Sequence, residues 1–212
     1  MHLPNGVEGK LIVPGALRVP HALCGKIAGL RRPVVGSYGV MDDRSGFDIL
    51  RRVARLLPEF TFVMLGMIRD EQARGLADCR QLGNIVFPGS CGDAEAAGYL
   101  RAMDALAMFH PLSHPMVSAM CPNKLWTYLA TSRPVVSTPI PEVLIHKDVV
   151  HPGDTPEQLA ERLSWLQSVQ FDDGLGDSRL QRAREHTWDR IAARLARLLG
   201  CLNSSEKELH RG

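Results

Sequence analysis

The sequence predicts an α/β protein built on a doubly wound parallel sheet. Short apolar runs alternate along the chain with segments whose apolar residues recur at helical spacing. The runs are nearly continuous in apolar character, which is the pattern of strands buried on both faces of a parallel sheet. Such sheets bind ligands beyond the carboxyl ends of their strands, where the strand order reverses. The loops at 39–46 and 110–121, which follow the first and fourth apolar runs, are therefore the expected places for chemistry.

Length and composition describe one globular domain of 212 residues, with 45% hydrophobic and 23% charged residues. The net charge of +2 is too small to indicate a nucleic-acid partner. The five cysteines have no C-x-x-C spacing, which argues against a disulfide framework or a zinc site and favours reduced, mostly buried thiols in the cytoplasm. No run of 18 apolar residues and no export signal occurs, which agrees with a cytoplasmic location.

Strands and helices are predicted from the spacing of apolar residues and from the Gly, Pro and polar residues between them. Strands are expected at 33–38, 60–66, 85–87, 105–109 and 134–138, with a short sixth at 149–150. Helices are expected at 47–57, 70–80, 93–103, 122–130, 155–167 and 178–202, the last with a break near Thr187. These elements divide the chain into a leading extension at 1–32, a domain at 33–202 and a polar tail at 203–212.

Lys124 lies in the first turn of the helix predicted at 122–130, which opens at the carboxyl end of a strand. The free backbone N–H groups of a helix N-terminus favour an anion, and the lysine adds a full positive charge. A phosphate site is therefore predicted here. From position alone, a solvated surface lysine is an equally good interpretation.

The segment from Pro122 to Glu142 reads P-N-K-L-W-T-Y-L-A-T-S-R-P-V-V-S-T-P-I-P-E. It resembles the pattern P-x-K-x-x-E-Y-L-A-x-G-x-P-V-V-x-T-x-x-P-E of the retaining group-one glycosyltransferases, whose GT-B architecture has two Rossmann-like domains. Weaker matches occur at 4–7, 35–39, 62–66, 84–89 and 186–189. The resemblance implies a Rossmann-like, doubly wound sheet that forms the C-terminal, sugar-nucleotide-binding half of such an enzyme.

The resemblance also implies a set of donor-binding residues on the loops and helix starts. The candidates are Tyr38, Gly39, Arg44, Gly89, Ser118, Asn123, Lys124, Thr127 and Glu142. Catalytic residues are not identified, and no metal is expected because no Asp-x-Asp motif stands in a suitable loop. Of the histidines, His114 is the one expected at the site, whereas His110, His146 and His151 are interpreted as surface or loop residues. Trp126 and Tyr128 are expected in the core, and Trp188 as a packing anchor for the last helix.

Several positions depart from the family pattern. Thr127 replaces the Glu whose carboxylate grips the ribose hydroxyls in relatives, and a hydroxyl can make only one of those hydrogen bonds. Ala119 stands where many relatives have a second Glu. The usual cations of the first loop are replaced by Val40 and Ser45.

Two candidates each have two interpretations. Arg44 either substitutes for the missing cations of the first loop or pairs with a neighbouring carboxylate, Asp42 or Asp43. Glu142, on the carboxyl side of the fifth strand, either meets a ribose or stays solvated.

The implied function is donor binding in a glycosyltransferase of hexosyltransferase type. Such an enzyme moves a sugar from a nucleotide diphosphate sugar to an acceptor hydroxyl, here in cell-surface polysaccharide or glycoconjugate synthesis. UDP is favoured over GDP, no further cofactor is expected, and the N-terminal acceptor domain is expected to be missing from this chain. The alternative is a non-catalytic Rossmann-like binding module, because the Glu at 127 and the first-loop cations are absent. An epimerase would need acid and base carboxylates that the sequence does not provide.

The C-terminal segment is amphipathic. Two interpretations fit this pattern: a helix docked on its own domain, or peripheral contact with the inner face of the cytoplasmic membrane.

Overall fold

A computed structural model describes residues 4–12 and 25–209, except for the side chains of 93–94 and 201–209. Parts of the predicted leading extension and polar tail, and Cys24, lie outside the described residues. The strands are β1 (Val34–Tyr38), β2 (Thr61–Leu65), β3 (Ile85–Gly89), β4 (Ala105–Met108), β5 (Val135–Ser137) and β6 (His151–Pro152). The helices are α1 (Phe47–Leu56), α2 (Leu76–Arg80), α3 (Asp93–Ala102), α4 (Asn123–Leu129), α5 (Pro141–Ile145), α6 (Pro156–Ser168), α7 (Gly176–Glu185) and α8 (Trp188–Leu209).

The six strands form one sheet in the order β3-β2-β1-β4-β5-β6, and every pair is parallel. This confirms the predicted doubly wound α/β class. Strand order reverses between β1 and β4, because β1 pairs with β2 on one side and with β4 on the other. The carboxyl ends of β1 and β4 therefore flank the crevice where such sheets bind ligands.

Two layers of helices bury the sheet on both faces. On one face, α3, α4, α5 and α7 supply a core that includes Trp126, Tyr128 and Leu129, which confirms that these residues are core. On the other face, α1, α2 and α6 supply a core that includes Leu50 and Leu163. The apolar residues of α1 recur at helical spacing on its inner face, which is why the sequence predicts this helix closely.

Three elements differ from the sequence prediction. The helix expected at 70–80 is confined to α2, because Asp70 accepts a hydrogen bond from the Gln72 amide in a turn and Gly75 has a left-handed φ of 84°. Strand β6 lies two residues later than expected, since the amides of Val149 and Val150 donate to His146 O and leave the ladder. Helix α5 was not predicted. The break near Thr187 is confirmed, because α7 ends at Glu185 and α8 begins at Trp188.

The leading segment packs against the start of α8. Val7 is buried and forms a parallel bridge with Thr187. Its amide donates to His186 O at 2.9 Å, and the Trp188 amide donates to Val7 O at 3.2 Å. Residues 4–12 are thus held beside the carboxyl ends of the strands.

Helix α8 contacts the domain at its start, where Ile191 is half-buried beside Gly6. Further along the helix, Leu195 is 41% exposed and Leu199 is 52% exposed, so docking on its own domain is seen for the start of the helix and not for these two side chains. Among the residues that the structure describes, no helix combines the length and apolar character needed to cross a bilayer.

The thiols differ in burial from the prediction of mostly buried cysteines. Cys79 is fully buried, whereas Cys91 and Cys121 are half-buried. Burial raises the pKa of the Cys79 thiol to about 12, so this thiol is unreactive.

Candidate functional site

A cavity of about 740 Å³ lies at the carboxyl ends of β1 and β4, where the strand order reverses. Its walls come from the loop after β1, from the start of α4, from the leading segment and from Trp188. The predicted loops after the first and fourth strands therefore meet at one site, as expected for a parallel sheet.

Most of the predicted donor-binding residues meet in this cavity. Those that line it are Tyr38, Gly39, Arg44, Asn123, Lys124 and Thr127. The structure does not bring Gly89, Ser118 or Glu142 into the lining.

The three outlying candidates have other surroundings. Gly89 is an exposed left-handed residue at the end of β3. Ser118 is exposed, and its hydroxyl donates to Pro115 O at 3.0 Å. Glu142 is buried at the start of α5, with its Oε1 3.8 Å from His146 Nε2. The solvated interpretation of Glu142 is therefore wrong, because α5, which the sequence did not predict, buries this carboxyl group.

Helix α4 holds Lys124 against the end of β1. The buried Tyr128 hydroxyl accepts a hydrogen bond of 2.7 Å from the Tyr38 amide, which fixes the helix to the strand. Lys124 lies one turn earlier, on the same helix face as Tyr128. A Cβ placed on Gly39 would lie 3.7 Å from Lys124 Cε, and Gly39 itself has a φ of +125°. Because α4 has only seven residues, the Lys124 charge matters more here than the helix dipole.

The Lys124 ammonium has unusual electrostatics. Burial lowers its pKa to about 8; attraction to Asp42 opposes this shift and repulsion from Arg44 adds to it. No hydrogen bond or ion pair among the described residues engages this ammonium. The protein therefore presents a partly desolvated cation to the cavity, which is a strong position for binding an anion.

Arg44 pairs with Asp42, as its second interpretation expected. Its Nε lies 3.2 Å from Asp42 Oδ1 and 3.1 Å from Oδ2, and its Nη2 also contacts Oδ2. Burial disfavours the charge on Asp42, but the hydrogen bonds from Arg44 outweigh it, so the pKa of Asp42 lies below its ordinary value. The Arg44 charge is largely neutralised in place, so of the two predicted cations of the site Lys124 is the one without an ion-pair partner among the described residues.

His110 lines the cavity, which the sequence analysis missed. The ring is 5% exposed, and its Nδ1 lies 2.6 Å from Arg44 O. Burial, reinforced by the Lys124 charge, lowers the pKa of His110 to about 3, so the ring is neutral. His114, the histidine expected at the site, instead pairs with Asp43 at 3.2 Å outside the cavity lining. The signal for His110 was its position directly after β4, at the carboxyl edge of the sheet.

The leading segment and Trp188 close one side of the cavity. Asn5 donates from Nδ2 to Cys121 O at 2.5 Å and from its amide to Cys121 Sγ at 3.2 Å. Trp188 packs beside Gly6 at the start of α8, as expected of a packing anchor, but it is also 41% exposed and lines the cavity. Its pairing with Val7 through the backbone places it there, a long-range contact that spacing along the sequence does not reveal.

A second cavity of about 590 Å³ lies beyond the amino end of β5. It is lined by Arg133 and by three acidic residues, Asp172, Asp173 and Asp177, and by none of the predicted site residues. Buried Arg179 donates to Asp173 Oδ1 at 2.9 Å and to Val149 O at 2.8 Å, so these groups hold β6 and α7 together. No group of three or more potential metal ligands occurs in the described part of the chain.

A sequence model of the group 1 glycosyl transferases matches residues 32–168, which include β1 to β6 and the cavity-lining start of α4. The chain belongs to this family. The matched region of this group 1 glycosyl transferase chain contains Lys124 and the loop after β1, whereas the leading segment and Trp188, which also line the cavity, lie outside it.

The relatives of this group 1 glycosyl transferase chain are longer proteins. TuaH of Bacillus subtilis (strain 168), named as a teichuronic acid biosynthesis glycosyltransferase, is 23% identical over 200 residues, or 92% of this chain and 49% of TuaH. Sucrose-phosphate synthase from Thermosynechococcus elongatus shares the fold, with a TM-score of 0.69 and 18% identity over 96% of this chain and 52% of that one. Anabaena HepE in complex with UDP and glucose gives a TM-score of 0.68 and 14% identity over 92% and 55%. The chain thus spans about half the length of these relatives.

Proposed function

We propose that this chain is the donor-binding domain of a glycosyltransferase that moves a sugar from a nucleotide diphosphate sugar to an acceptor hydroxyl. Membership of the group 1 family supports the reaction class. The cavity at the reversal of strand order supports the place of binding.

The observation that carries the proposal is the Lys124 ammonium. It is held beside Gly39 by the Tyr128 anchor and has no hydrogen-bonding or ionic partner among the described residues. A diphosphate in the cavity would supply that partner through charge-assisted hydrogen bonds. During transfer the same contact would stabilise the negative charge that develops on the leaving diphosphate.

The comparisons favour UDP as the nucleotide and a cell-surface product. HepE, which shares the fold, has been solved with UDP and with UDP-glucose. TuaH is named for the synthesis of teichuronic acid. Cys79 and Cys121 have free thiols, which supports a reducing, cytoplasmic location.

Transfer would also need a second, acceptor-binding domain. The chain spans 49% of TuaH and 52% of the sucrose-phosphate synthase chain, which leaves room in the relatives for another domain of similar size. We place the acceptor on that domain and the donor on this one, with the reaction between them.

The alternative, a non-catalytic module, is favoured by two features of the cavity. Arg44 is neutralised by Asp42, and Thr127 provides a hydroxyl where relatives have a carboxylate. Both features weaken the grip on a nucleotide sugar. The alternative and the proposal differ in whether UDP binds at this cavity.

Calorimetric titration of UDP into the wild-type chain and into Lys124→Ala tests the proposal. Removing a charge-assisted hydrogen bond to phosphate should weaken binding by ~1.5–3 kcal/mol. Lys147→Ala is the matched control, because Lys147 is exposed and does not line the cavity. If the wild-type chain does not bind UDP, or if it and Lys124→Ala bind UDP with equal affinity, this cavity is not the nucleotide-binding site.

A further inference from the structure

We propose that His110 is a specificity-determining residue whose Nε2 accepts a hydrogen bond from a hydroxyl of the bound nucleotide. The inference rests on the proposed function, because it takes the ligand of the cavity to be a nucleotide diphosphate. It adds a second kind of contact to the phosphate contact of Lys124.

The tautomer of His110 is set by its backbone contact. Nδ1 lies 2.6 Å from Arg44 O, and a carbonyl oxygen only accepts, so Nδ1 carries the proton. In a neutral imidazole the other nitrogen, Nε2, is then an acceptor. The low pKa of the ring, about 3, keeps it in this form at every physiological pH.

Nε2 lacks the partner that a buried polar atom normally has. Among the described residues no hydrogen bond reaches it, although the ring is 5% exposed and belongs to the cavity wall. Most buried polar side-chain atoms in folded proteins are hydrogen-bonded, so an exception in a cavity wall calls for a specific explanation. The missing partner therefore points to a group that arrives with the ligand.

The chemistry of Nε2 selects which part of the ligand it meets. Phosphate oxygens are acceptors and would be repelled by the lone pair, whereas hydroxyl groups donate. Lys124, whose charge acts on the His110 ring, takes the phosphate. His110 would then meet a hydroxyl of the ribose or of the transferred sugar, and so distinguish a nucleotide from a bare diphosphate.

His110→Asn is the decisive variant. The Asn side-chain amide keeps a donor near Nδ1 for Arg44 O but has no atom at the place of Nε2. His114→Phe is the matched control, because His114 lies on the same loop but outside the cavity lining. Each protein is titrated by calorimetry with UDP, with UDP-glucose and with inorganic pyrophosphate, which has no sugar hydroxyl.

We expect His110→Asn to weaken UDP or UDP-glucose binding at least five-fold and to leave pyrophosphate affinity within two-fold of wild type. His110→Gln, which returns an acceptor near Nε2, should recover part of the loss. An equal loss of affinity for UDP and for UDP-glucose would assign the contact to the ribose. Loss confined to UDP-glucose would assign it to the transferred sugar.

Two results would overturn the inference while leaving the proposed function intact. One is unchanged affinity of His110→Asn for both nucleotides when Lys124→Ala has lost UDP binding. The other is an equal loss for pyrophosphate, which would mean that His110 acts through Lys124 or Arg44. If His110→Asn does not fold, His110→Phe is scored by the same criteria. Failure of the wild-type chain to bind UDP would overturn the proposed function together with the inference.

Discussion

The pKa of the Lys124 ammonium is set by the groups that surround it. Burial disfavours its charge, Asp42 supports the charge and Arg44 opposes it, which leaves a pKa of about 8. An ordinary exposed lysine titrates near pH 10.4 and is a fixed cation in most buffers. Lys124 is instead a cation whose charge changes within the range of ordinary buffers, so its role can be tested by pH.

The affinity for UDP should fall about ten-fold between pH 7 and pH 9. Only the protonated ammonium binds phosphate, and the protonated fraction of the free protein falls steeply above pH 8. Calorimetric titrations across this range measure the profile. Lys124→Arg should bind UDP with a flat profile, since a guanidinium stays charged throughout. A flat profile for the wild-type chain would contradict the assignment of Lys124 as the phosphate contact.

Thr127→Glu should tighten UDP binding by ~1–3 kcal/mol, roughly the value of hydrogen bonds to a charged group. Thr127 is half-buried and lines the cavity, so a carboxylate there has a ribose within reach instead of a packed core. The control is Thr127→Gln, which has the same length without the charge and should gain less. Calorimetry and thermal melting are measured on each variant. A lower melting temperature without a gain in affinity would show that position 127 does not face the ribose.

Six of the nine donor-binding residues predicted from the sequence line the cavity, but other lining residues, such as His110, were not predicted. Asn123, Lys124 and Thr127 were predictable because they share one helix start, whose spacing is local. His110 was missed because its importance comes from a contact with Arg44, 66 positions away along the chain. The pairing of Arg44 with Asp42 was foreseen as one of two interpretations, since neighbouring charges are visible in sequence.

At the level of elements, the turn between β1 and α1 lies against the end of β4. Asp42 caps the turn by accepting from the Arg44 amide at 3.1 Å, and Gly46 then enters α1 with a left-handed φ of 64°. A Cβ on Gly46 would lie 1.6 Å from Phe109 O, the residue before His110. Gly46 therefore lets the loop after β1 approach the end of β4.

Gly46→Ala should lower the free energy of unfolding by at least about 2 kcal/mol, because it combines a left-handed backbone with a backbone clash. Chemical denaturation followed by circular dichroism measures this. Gly98→Ala is the control: its site in α3 has no atom within 4 Å of the new Cβ, so the helix should gain roughly 0.5–1 kcal/mol. Similar unfolding energies for wild type and Gly46→Ala would contradict the close approach of the two loops.

Elements with strong local periodicity were predictable, and those set by tertiary contacts were not. Helix α1 has a regular apolar face and was predicted to within one residue. Helix α5 has only five residues and begins at Pro141, in a segment for which the sequence predicted neither a helix nor a strand. Strand β6 depends on the amides of Val149 and Val150 turning back to His146 O, which their apolar character does not indicate.

For the whole molecule, we predict that the purified chain binds UDP but does not transfer sugar. The reaction site lies between two domains in our proposal, and an open cavity admits water that weakens the remaining electrostatic contacts. Incubation with radiolabelled UDP-glucose and candidate acceptors measures transfer. Transfer to any acceptor by the 212-residue chain would show that it contains a complete active site.

Amide chemical shifts of the ¹⁵N-labelled chain during titration with UDP test whether the nucleotide binds in the cavity beside Lys124. The cavity beside Lys124 and the cavity lined by residues 172–177 lie at opposite ends of the strands, so the location of the shifts distinguishes them. We predict saturable shifts at Gly39, Asn123 and Thr127, with the amides of 172–177 unchanged. Shifts centred on 172–177, or no saturable shifts at the carboxyl ends of β1 and β4, would show that UDP does not bind in the cavity beside Lys124.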